Sequence, residues 1–236
     1  LQQLQQAGHP VVWLDLPNKE SVVQQFVLWE IATAVVGSLL QIHPFNQPDV
    51  EASKLRSQTL MQQYEQSGAL VDPPWSLQEG NIKVLVSSAY SVRTDSLAQL
   101  LADYTNLLRE DDYFALLAFL PRFDECQTAL QRIRQQLQQS KRVATTLGFG
   151  PRLLHSIGQL YKGGPHQGLF VYITCDDPCS IDAIDRPYSF SIVKEAQARG
   201  DFAVMAEKNQ RVLRIHLSGD LTESLQQLQQ AFGVGS

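Results

Sequence analysis

The chain has 236 residues, 44% of them hydrophobic, and a formal net charge of -5. This is enough apolar material for one large or two small domains. The acidic balance argues against a nucleic-acid partner, because no segment carries enough Lys and Arg to neutralise many phosphates, whereas a small anionic metabolite needs only one local cluster of cations.

Three cysteines, Cys126, Cys175 and Cys179, are too few for a disulfide framework and favour a reducing compartment. We therefore expect a cytoplasmic protein. Cys175 and Cys179 lack two further ligands at zinc-finger spacing, and we predict neither a metal site nor a cofactor. The chain begins at Leu1 without a signal-peptide pattern, and its most apolar run, residues 31–40, is about half as long as a membrane span. We expect no membrane association, and we expect the chain to be a piece of a longer protein.

The first part of the chain predicts a short strand and two long helices. After a Gln-rich helical turn, residues 9–17 form an apolar segment closed by proline. In residues 20–41 apolar side chains recur at helical spacing and cover nearly every side of the second half, which predicts a helix buried on more than one face. Pro44 ends this helix, and a second helix is predicted over residues 48–65.

Beyond residue 80, strands alternate with helices, which predicts a layered α/β domain. The predicted strands are 81–87, 113–120, 142–147, 168–174 and 211–217. The predicted helices are 95–108, 124–139 with Asp124 as its cap, a short one at 151–160, 189–207 with a break near Gly200, and 221–232. From residue 113 onward this order suggests split βαβ units on a mixed, mainly antiparallel sheet.

A motif between the two long helices places a single lysine one turn inside the second helix. The motif resembles the C-terminal signature of glucose-6-phosphate isomerases, which reads Phe, Asp or Asn, Gln, any residue, Gly, Val, Glu, two variable residues and Lys. The matching residues are Phe45, Asn46, Gln47, Val50, Glu51 and Lys54. Asp49 stands where most of the family has glycine, and aspartate tolerates a left-handed turn better than most residues do.

A second segment, residues 144–165, resembles the C-terminal region of bacterial proteins that fuse a transaldolase to a glucose-6-phosphate isomerase. Those fusions usually have His-Ser-Thr-Gly-Gln-Leu-His-Lys-Gly-Gly-Pro here, whereas this chain has Ile157 for the threonine and Tyr161 for the second histidine. The resemblance implies three parts. Residues 1–66 complete an SIS-type (sugar isomerase) three-layer α/β subdomain, residues 67–80 are a linker, and residues 81–236 form a C-terminal α/β module.

The resemblance implies aldose–ketose isomerisation of glucose 6-phosphate and fructose 6-phosphate, within glycolysis, gluconeogenesis and the pentose phosphate pathway. Lys54 matches the lysine that reaches the ring oxygen of the substrate, and an ammonium on a flexible stem suits ring opening. Gln47 and Glu51 are then expected to bind the substrate. The other catalytic groups of the family are expected upstream of Leu1, in a homo-oligomeric full-length protein, so the fragment alone should be inactive.

A glycine-rich turn gives a second group of candidate substrate-binding residues, His155 and Lys162. Gly163 and Gly164 follow Lys162, and such loops can bind a phosphate through backbone amides. A tight turn that simply needs glycine remains the other explanation. The departures from the family patterns also leave open a noncatalytic sugar-phosphate-binding or subunit-assembly module.

Overall fold

A computed structural model describes residues 1–88, 90–177 and 179–234. The chain divides into two compact units, Leu1–Asn46 and Gln47–Ser236. The boundary between compact units therefore follows Asn46, whereas the sequence suggested a linker at residues 67–80. The helix that carries Lys54 belongs to the larger unit.

The smaller unit contains helices α1 (Gln2–Gln6) and α2 (Ser21–Leu40). Residues 9–17 were predicted as a strand but form none, because no described strand lies beside them to complete the hydrogen bonds. The burial expected for α2 is not found within the unit, where Phe26 is 61% and Trp29 is 59% exposed. By length and composition alone α2 is apolar enough to cross a membrane, a test that the core helices of many soluble proteins also pass.

The larger unit is built on one six-stranded sheet. Its strands are β1 (Leu77–Glu79), β2 (Ile82–Val86), β3 (Tyr113–Phe119), β4 (Ala144–Phe149), β5 (Gly168–Cys175) and β6 (Arg211–Leu217). Their order is β1-β2-β6-β5-β3-β4. The prediction of a mixed sheet in an α/β fold is confirmed. The expectation that it is mainly antiparallel is wrong, because β6, β5, β3 and β4 all run parallel and only β1 and β2 are antiparallel to their neighbours.

The helices of the larger unit lie close to the predicted positions. They are α3 (Pro48–Ser67), α4 (Leu97–Thr105), α5 (Asp124–Lys141), α6 (Gly158–Gly163), α7 (Phe190–Glu207) and α8 (Leu221–Ala231). The helix predicted at residues 151–160 is instead a 3₁₀ turn, Arg152–His155, followed by α6. The 3₁₀ turn and α6 form the crossover connection from β4 to β5. These two strands run in the same direction, and parallel strands need such a long connection. Helix α7 continues through Gly200 without a break.

Local sequence signals explain where several helices begin and end. Helix α3 has proline at its first position and ends at Gly68, whose φ of 72° is left-handed. The Asp220 side chain caps α8 by accepting the Glu223 N–H at 2.9 Å. In α5, by contrast, Asp124 is the first helical residue and the cap position is Phe123.

Two helical layers cover the sheet. Helices α4, α5 and α8 pack on one face around Leu100, Leu130 and Leu228, all fully buried. Helices α6 and α7 pack on the other face, and α3 lies along α7 as an additional outer helix. Strand β5 is buried over its whole length, as expected for a parallel strand covered on both faces.

The segment between α3 and β1 is tied to the body of the unit. The Asp72 carboxylate pairs with Arg199 at 3.0 Å and also with the buried Arg214. Arg199 donates in addition to the Leu70 carbonyl oxygen at 3.0 Å. Residues 68–76 therefore lie against α7 and β6 and hold the C-terminal end of α3 in place.

The contact between α3 and α7 is closest at Gly200. A Cβ atom at this position would lie 2.6 Å from the Ser57 Oγ and 2.9 Å from the Ser57 backbone nitrogen. The absence of a side chain therefore lets the two helices approach each other, and any substitution must move backbone as well as side-chain atoms.

We predict that Gly200→Ala separates α3 from α7. The steric overlap of the new Cβ atom with Ser57 should destabilise the fold by about 1–3 kcal/mol. The better helix propensity of alanine stabilises the helix by only about 1 kcal/mol, so the net effect is a loss of stability. Urea unfolding and amide hydrogen exchange in α3 measure the effect. The control is Ala203→Ser on the same helix, and equal stability of the two variants would contradict the close-contact explanation.

Candidate functional site

A cavity of about 590 Å³ lies between α3 and α7. This volume is typical of small-molecule sites. The rim comes from the segments that follow β4 and β5, and ligands of open α/β sheets bind at this end of the parallel strands. The charged and titratable lining residues are Lys54, Glu65, His155, Lys162, Arg186, Tyr188 and Asp201.

The floor of the cavity is a buried ion pair. Lys162 Nζ lies 2.5 Å from Asp201 Oδ1, and both side chains are only 1% exposed. The Lys162 ammonium also donates to the Gly158 carbonyl oxygen at 3.3 Å. The pair therefore joins α6 to α7 in a setting where neither charge is solvated.

Two hydroxyl groups complete the surroundings of Asp201. Ser53 of α3 donates to Asp201 Oδ1 at 3.1 Å, and Tyr172 of β5 donates to Oδ2. Burial, followed by the charge of Asp201, raises the pKa of Tyr172 well above its ordinary value, so the phenol remains protonated and donates. Asp201 thus connects α3, α6, α7 and the sheet at one point.

Lys54 lies at the rim of the cavity. Its ammonium is 3.1 Å from Glu51 Oε2, and the two side chains are 56% and 61% exposed. An ion pair this exposed contributes little to stability, so Lys54 can exchange Glu51 for another partner at small cost. Gln47 is the exposed residue before α3, and neither Gln47 nor Glu51 lines the cavity.

Asp49 fastens the first turn of α3 to the rest of the unit. Its backbone N–H donates to Gln159 Oε1 at 3.0 Å, and Gln159 Nε2 donates back to Asp49 Oδ2 at 2.6 Å. Lys208 Nζ lies 2.6 Å from Oδ1. Burial raises the pKa of Asp49, but the bonds from Lys208 and Gln159 outweigh it and hold the pKa below its usual range. Asp49 is helical, so the residue serves here as an anchor and not as a left-handed turn.

The glycines after Lys162 make close packing contacts. A Cβ atom on Gly163 would collide with the Asp49 carboxylate, and one on Gly164 would collide with the Leu160 carbonyl oxygen. A carboxylate beside Gly163 would repel a phosphate. The geometry therefore favours the tight-turn explanation of these glycines over a phosphate loop, and Lys162 reaches the cavity from below instead.

The structure brings together three of the five predicted site residues, Lys54, His155 and Lys162. The sequence analysis missed the contributions of Arg186, Tyr188 and Gln197, which line the same cavity from the segment after β5 and from α7. The usable signal was strand direction, because β4 and β5 both run parallel to the strand β3 between them, and loops that follow parallel strands lie at the same edge of the sheet.

The cysteines are not part of this cavity. Burial raises the pKa of Cys175 to about 12, which keeps the thiol protonated and unreactive. Within residues 1–88, 90–177 and 179–234, no group of three or more His, Cys, Asp and Glu side chains is arranged to hold a metal ion.

Comparison with known proteins gives a distant structural likeness. No protein-family profile and no curated protein matches the sequence. The crystal structure of hypothetical protein TT0462 from Thermus thermophilus is similar, with 16% sequence identity and a TM-score of 0.47. The similarity covers 60% of this chain and 40% of that chain, so it spans less than half of the Thermus protein.

We predict that Lys162→Met destabilises the larger unit by about 3–5 kcal/mol, because Asp201 would remain as an uncompensated buried charge. Lys162→Met combined with Asp201→Leu should recover a large part of this loss. Urea unfolding measures both. A Lys162→Met variant as stable as the wild type would show that the ion pair does not stabilise the larger unit.

We also predict a pH-dependent contribution from Asp49. Because its folded pKa is below the unfolded value of about 3.9, the stabilisation is present above that pH and is lost as pH falls through the folded pKa. Asp49→Asn should lower the free energy of unfolding by about 1–2 kcal/mol at pH 6, and the difference in this free energy between the variant and the wild type should shrink below about pH 4. The exposed Asp111→Asn is the control in the same urea series, and a difference independent of pH would contradict the assignment.

Proposed function

We propose that this chain is the C-terminal part of a glucose-6-phosphate isomerase, of the kind that bacteria fuse to a transaldolase. The observation that carries the proposal is Lys54, a motif lysine at the rim of a ligand-sized cavity with a partner that it can release. The reaction is inferred from the sequence motif, and the position of Lys54 at the cavity is compatible with it.

In this reaction Lys54 assists the opening of the sugar ring. The bond between C1 and the ring oxygen breaks, the ring oxygen gains a proton, and the C1 hydroxyl loses one to leave the open-chain aldehyde. An ammonium beside the ring oxygen stabilises the developing negative charge or supplies the proton. A flexible lysine can follow that oxygen as it moves away from C1.

Glu51 then acts as the resting partner of Lys54. The two residues are three positions apart on α3, so the carboxylate holds the ammonium near the cavity while no sugar is bound. Asp49 precedes this pair and Ser53 lies between its two residues, and the contacts of Asp49 and Ser53 fix the backbone from which Lys54 extends.

We further propose that residues 1–66 complete an SIS-type subdomain in a cytoplasmic, oligomeric enzyme. Helix α2 has large exposed apolar side chains, including Phe26 and Trp29. An exposed apolar surface of this size marks a contact with another protein segment. Glu30 in the middle of α2 argues against a lipid bilayer around this helix, since placing an acidic side chain at the centre of a membrane helix costs about 2.5–3.5 kcal/mol.

The test is the interconversion of glucose 6-phosphate and fructose 6-phosphate by the complete polypeptide that contains this chain. Lys54→Ala should lower kcat by about 10²–10⁴-fold, the usual contribution of a positioned acid or base. The matched control is Arg56→Ala, which removes another exposed ion pair of α3, with Glu207, and should change kcat less than about threefold.

An unchanged kcat in Lys54→Ala would contradict the catalytic role. It would favour the second candidate function, a noncatalytic sugar-phosphate-binding module. The observation in favour of this alternative is that every residue lining the cavity belongs to the larger unit, so a ligand would not need residues 1–46.

A further inference from the structure

We propose that the outer edge of strand β4 is a docking site for another protein, which adds an extended segment with acidic ends to the sheet as a further strand. In this mode the backbone groups of β4 pair with the segment, and arginines near both ends of β4 pair with its carboxylates. The proposal concerns a different surface from the cavity between α3 and α7, and it does not depend on the isomerase assignment.

Strand β4 has a neighbouring strand on one side only within the larger unit. It is the last strand in the sheet order and pairs with β3 alone. The Gly150 N–H donates to the Ala118 carbonyl oxygen of β3 at 2.8 Å, so the backbone groups of Gly150 face β3. Because successive residues of a strand turn their backbone groups to opposite sides, those of Thr145, Leu147 and Phe149 point away from β3. They form a row of donors and acceptors along the outer edge.

The two edges of the sheet differ in how they are protected. Natural sheets keep edge strands from pairing with other chains by making them very short or by placing charges or proline in them. Strand β1 at the opposite edge has only three residues. Strand β4 has six, Ala-Thr-Thr-Leu-Gly-Phe, with neither a charged side chain nor a proline among them. An edge of this length and composition is suited to receive another strand.

Side chains hold β4 in place from both faces of the sheet. On one face Arg134 of α5 donates to the Thr145 hydroxyl at 3.1 Å. On the other face the Thr146 hydroxyl lies 3.1 Å from the Tyr161 hydroxyl. The strand is therefore already in place for a partner, and a preformed site loses less conformational entropy on binding than one that its partner must organise.

Cations without an ion-pair partner lie around β4. Arg142 precedes the strand and Arg152 follows it, and both are exposed. The Arg122 guanidinium lies 5.6 Å from the centre of the Phe149 ring. Among the described residues no carboxylate forms an ion pair with the four arginines of this region, Arg122, Arg134, Arg142 and Arg152. The edge is thus a cationic surface on a chain of net charge -5, and it is complementary to an acidic segment.

A cavity of about 500 Å³ lies where β4 ends. Arg122 and Arg152 both line it, together with apolar side chains that include Leu147 and Phe149 of the edge strand itself. An added segment that runs along β4 reaches this cavity with one of its ends. A carboxylate there binds the two guanidinium groups, while a neighbouring apolar side chain covers Leu147 and Phe149.

The same charges argue against a second copy of this chain as the partner. Arg142 and Arg152 are equally far from Leu147 in the sequence. Antiparallel pairing of two β4 strands about Leu147 would therefore place Arg142 of each copy opposite Arg152 of the other, and like charges directly opposite each other destabilise a strand pair. All the strands of the described residues already belong to the sheet, so we assign the added segment to another protein.

The experiment is a titration of the 236-residue chain with a synthetic peptide of alternating Thr and Val that has Glu at both ends. Isothermal titration calorimetry measures its affinity, and amide hydrogen exchange locates it. The peptide should slow exchange of the Thr145, Leu147 and Phe149 amides about tenfold or more, because they gain partners. The amides of Thr146 and Gly148 already face β3 and should change little. No binding, or binding without protection of the three outer amides, would overturn the proposal.

Two control peptides separate strand pairing from simple charge attraction. One has the same Glu residues but proline in place of each valine, so it cannot complete the backbone hydrogen bonds of a strand. The other has Lys in place of Glu and is repelled by the arginines. Both should bind at least about tenfold more weakly than the first peptide. Equal affinity of the proline peptide would show that the arginines attract any acidic chain, and it would overturn the docking of a strand.

A charge reversal tests the arginine contact. Arg152→Glu should weaken binding of the Thr-Val peptide about tenfold or more, because two carboxylates would then face each other. The matched control is Arg132→Glu, at an exposed position of α5 that lines a different cavity beside α8 and should keep the wild-type affinity. Both side chains are exposed, so the fold should remain intact, which circular dichroism checks. Wild-type affinity in Arg152→Glu would contradict the assigned carboxylate contact.

The complete polypeptide that contains this chain tests the source of the segment. Without peptide, the Thr145, Leu147 and Phe149 amides should exchange rapidly there, and the peptide should protect them as in the 236-residue chain. Protection without peptide at every protein concentration would show that another part of the same polypeptide occupies the edge. Protection that increases with protein concentration would show that a second copy does, and either result would overturn the assignment to another protein.

Discussion

The larger unit depends on one buried interaction, the ion pair between Lys162 and Asp201. Neither charge is solvated, and removing either would leave the other without compensation. Hydrogen bonds from Ser53 and Tyr172 to the same carboxylate bring α3 and β5 into the pair. A single carboxylate therefore fixes the relative positions of α3, α6, α7 and the sheet. The same ion pair forms the floor of the cavity.

Helix α3 links the proposed chemistry to this scaffold. Its buried side is held by Asp49, Ser53 and the close contact with Gly200, whereas Lys54 and Glu51 extend from the exposed side. Because the anchors precede and follow Lys54 by a few residues, the backbone is fixed while the lysine side chain stays free to move. A catalytic lysine that follows a moving oxygen needs this combination of a rigid base and a flexible stem.

Much of the fold follows from local sequence signals, and the rest depends on tertiary pairing. The apolar run of β3 and the periodicity of α5 predict their elements to within two residues. Strand direction could not be predicted as easily, since the crossover at residues 150–163 is short and irregular and resembles a turn. Because a mainly antiparallel sheet was expected, the contributions of Arg186 and Gln197 were missed. Both residues reach the cavity only because β4 and β5 are parallel. The pairing of Lys162 with Asp201, 39 positions apart in the sequence, has no local signature at all.

The most direct measurement is a structure of the complete polypeptide with a cyclic hexose 6-phosphate bound. The account predicts that Lys54 Nζ leaves Glu51 and lies within about 3 Å of the ring oxygen, the distance that proton transfer requires. A sugar bound elsewhere, with Lys54 still paired to Glu51, would contradict it.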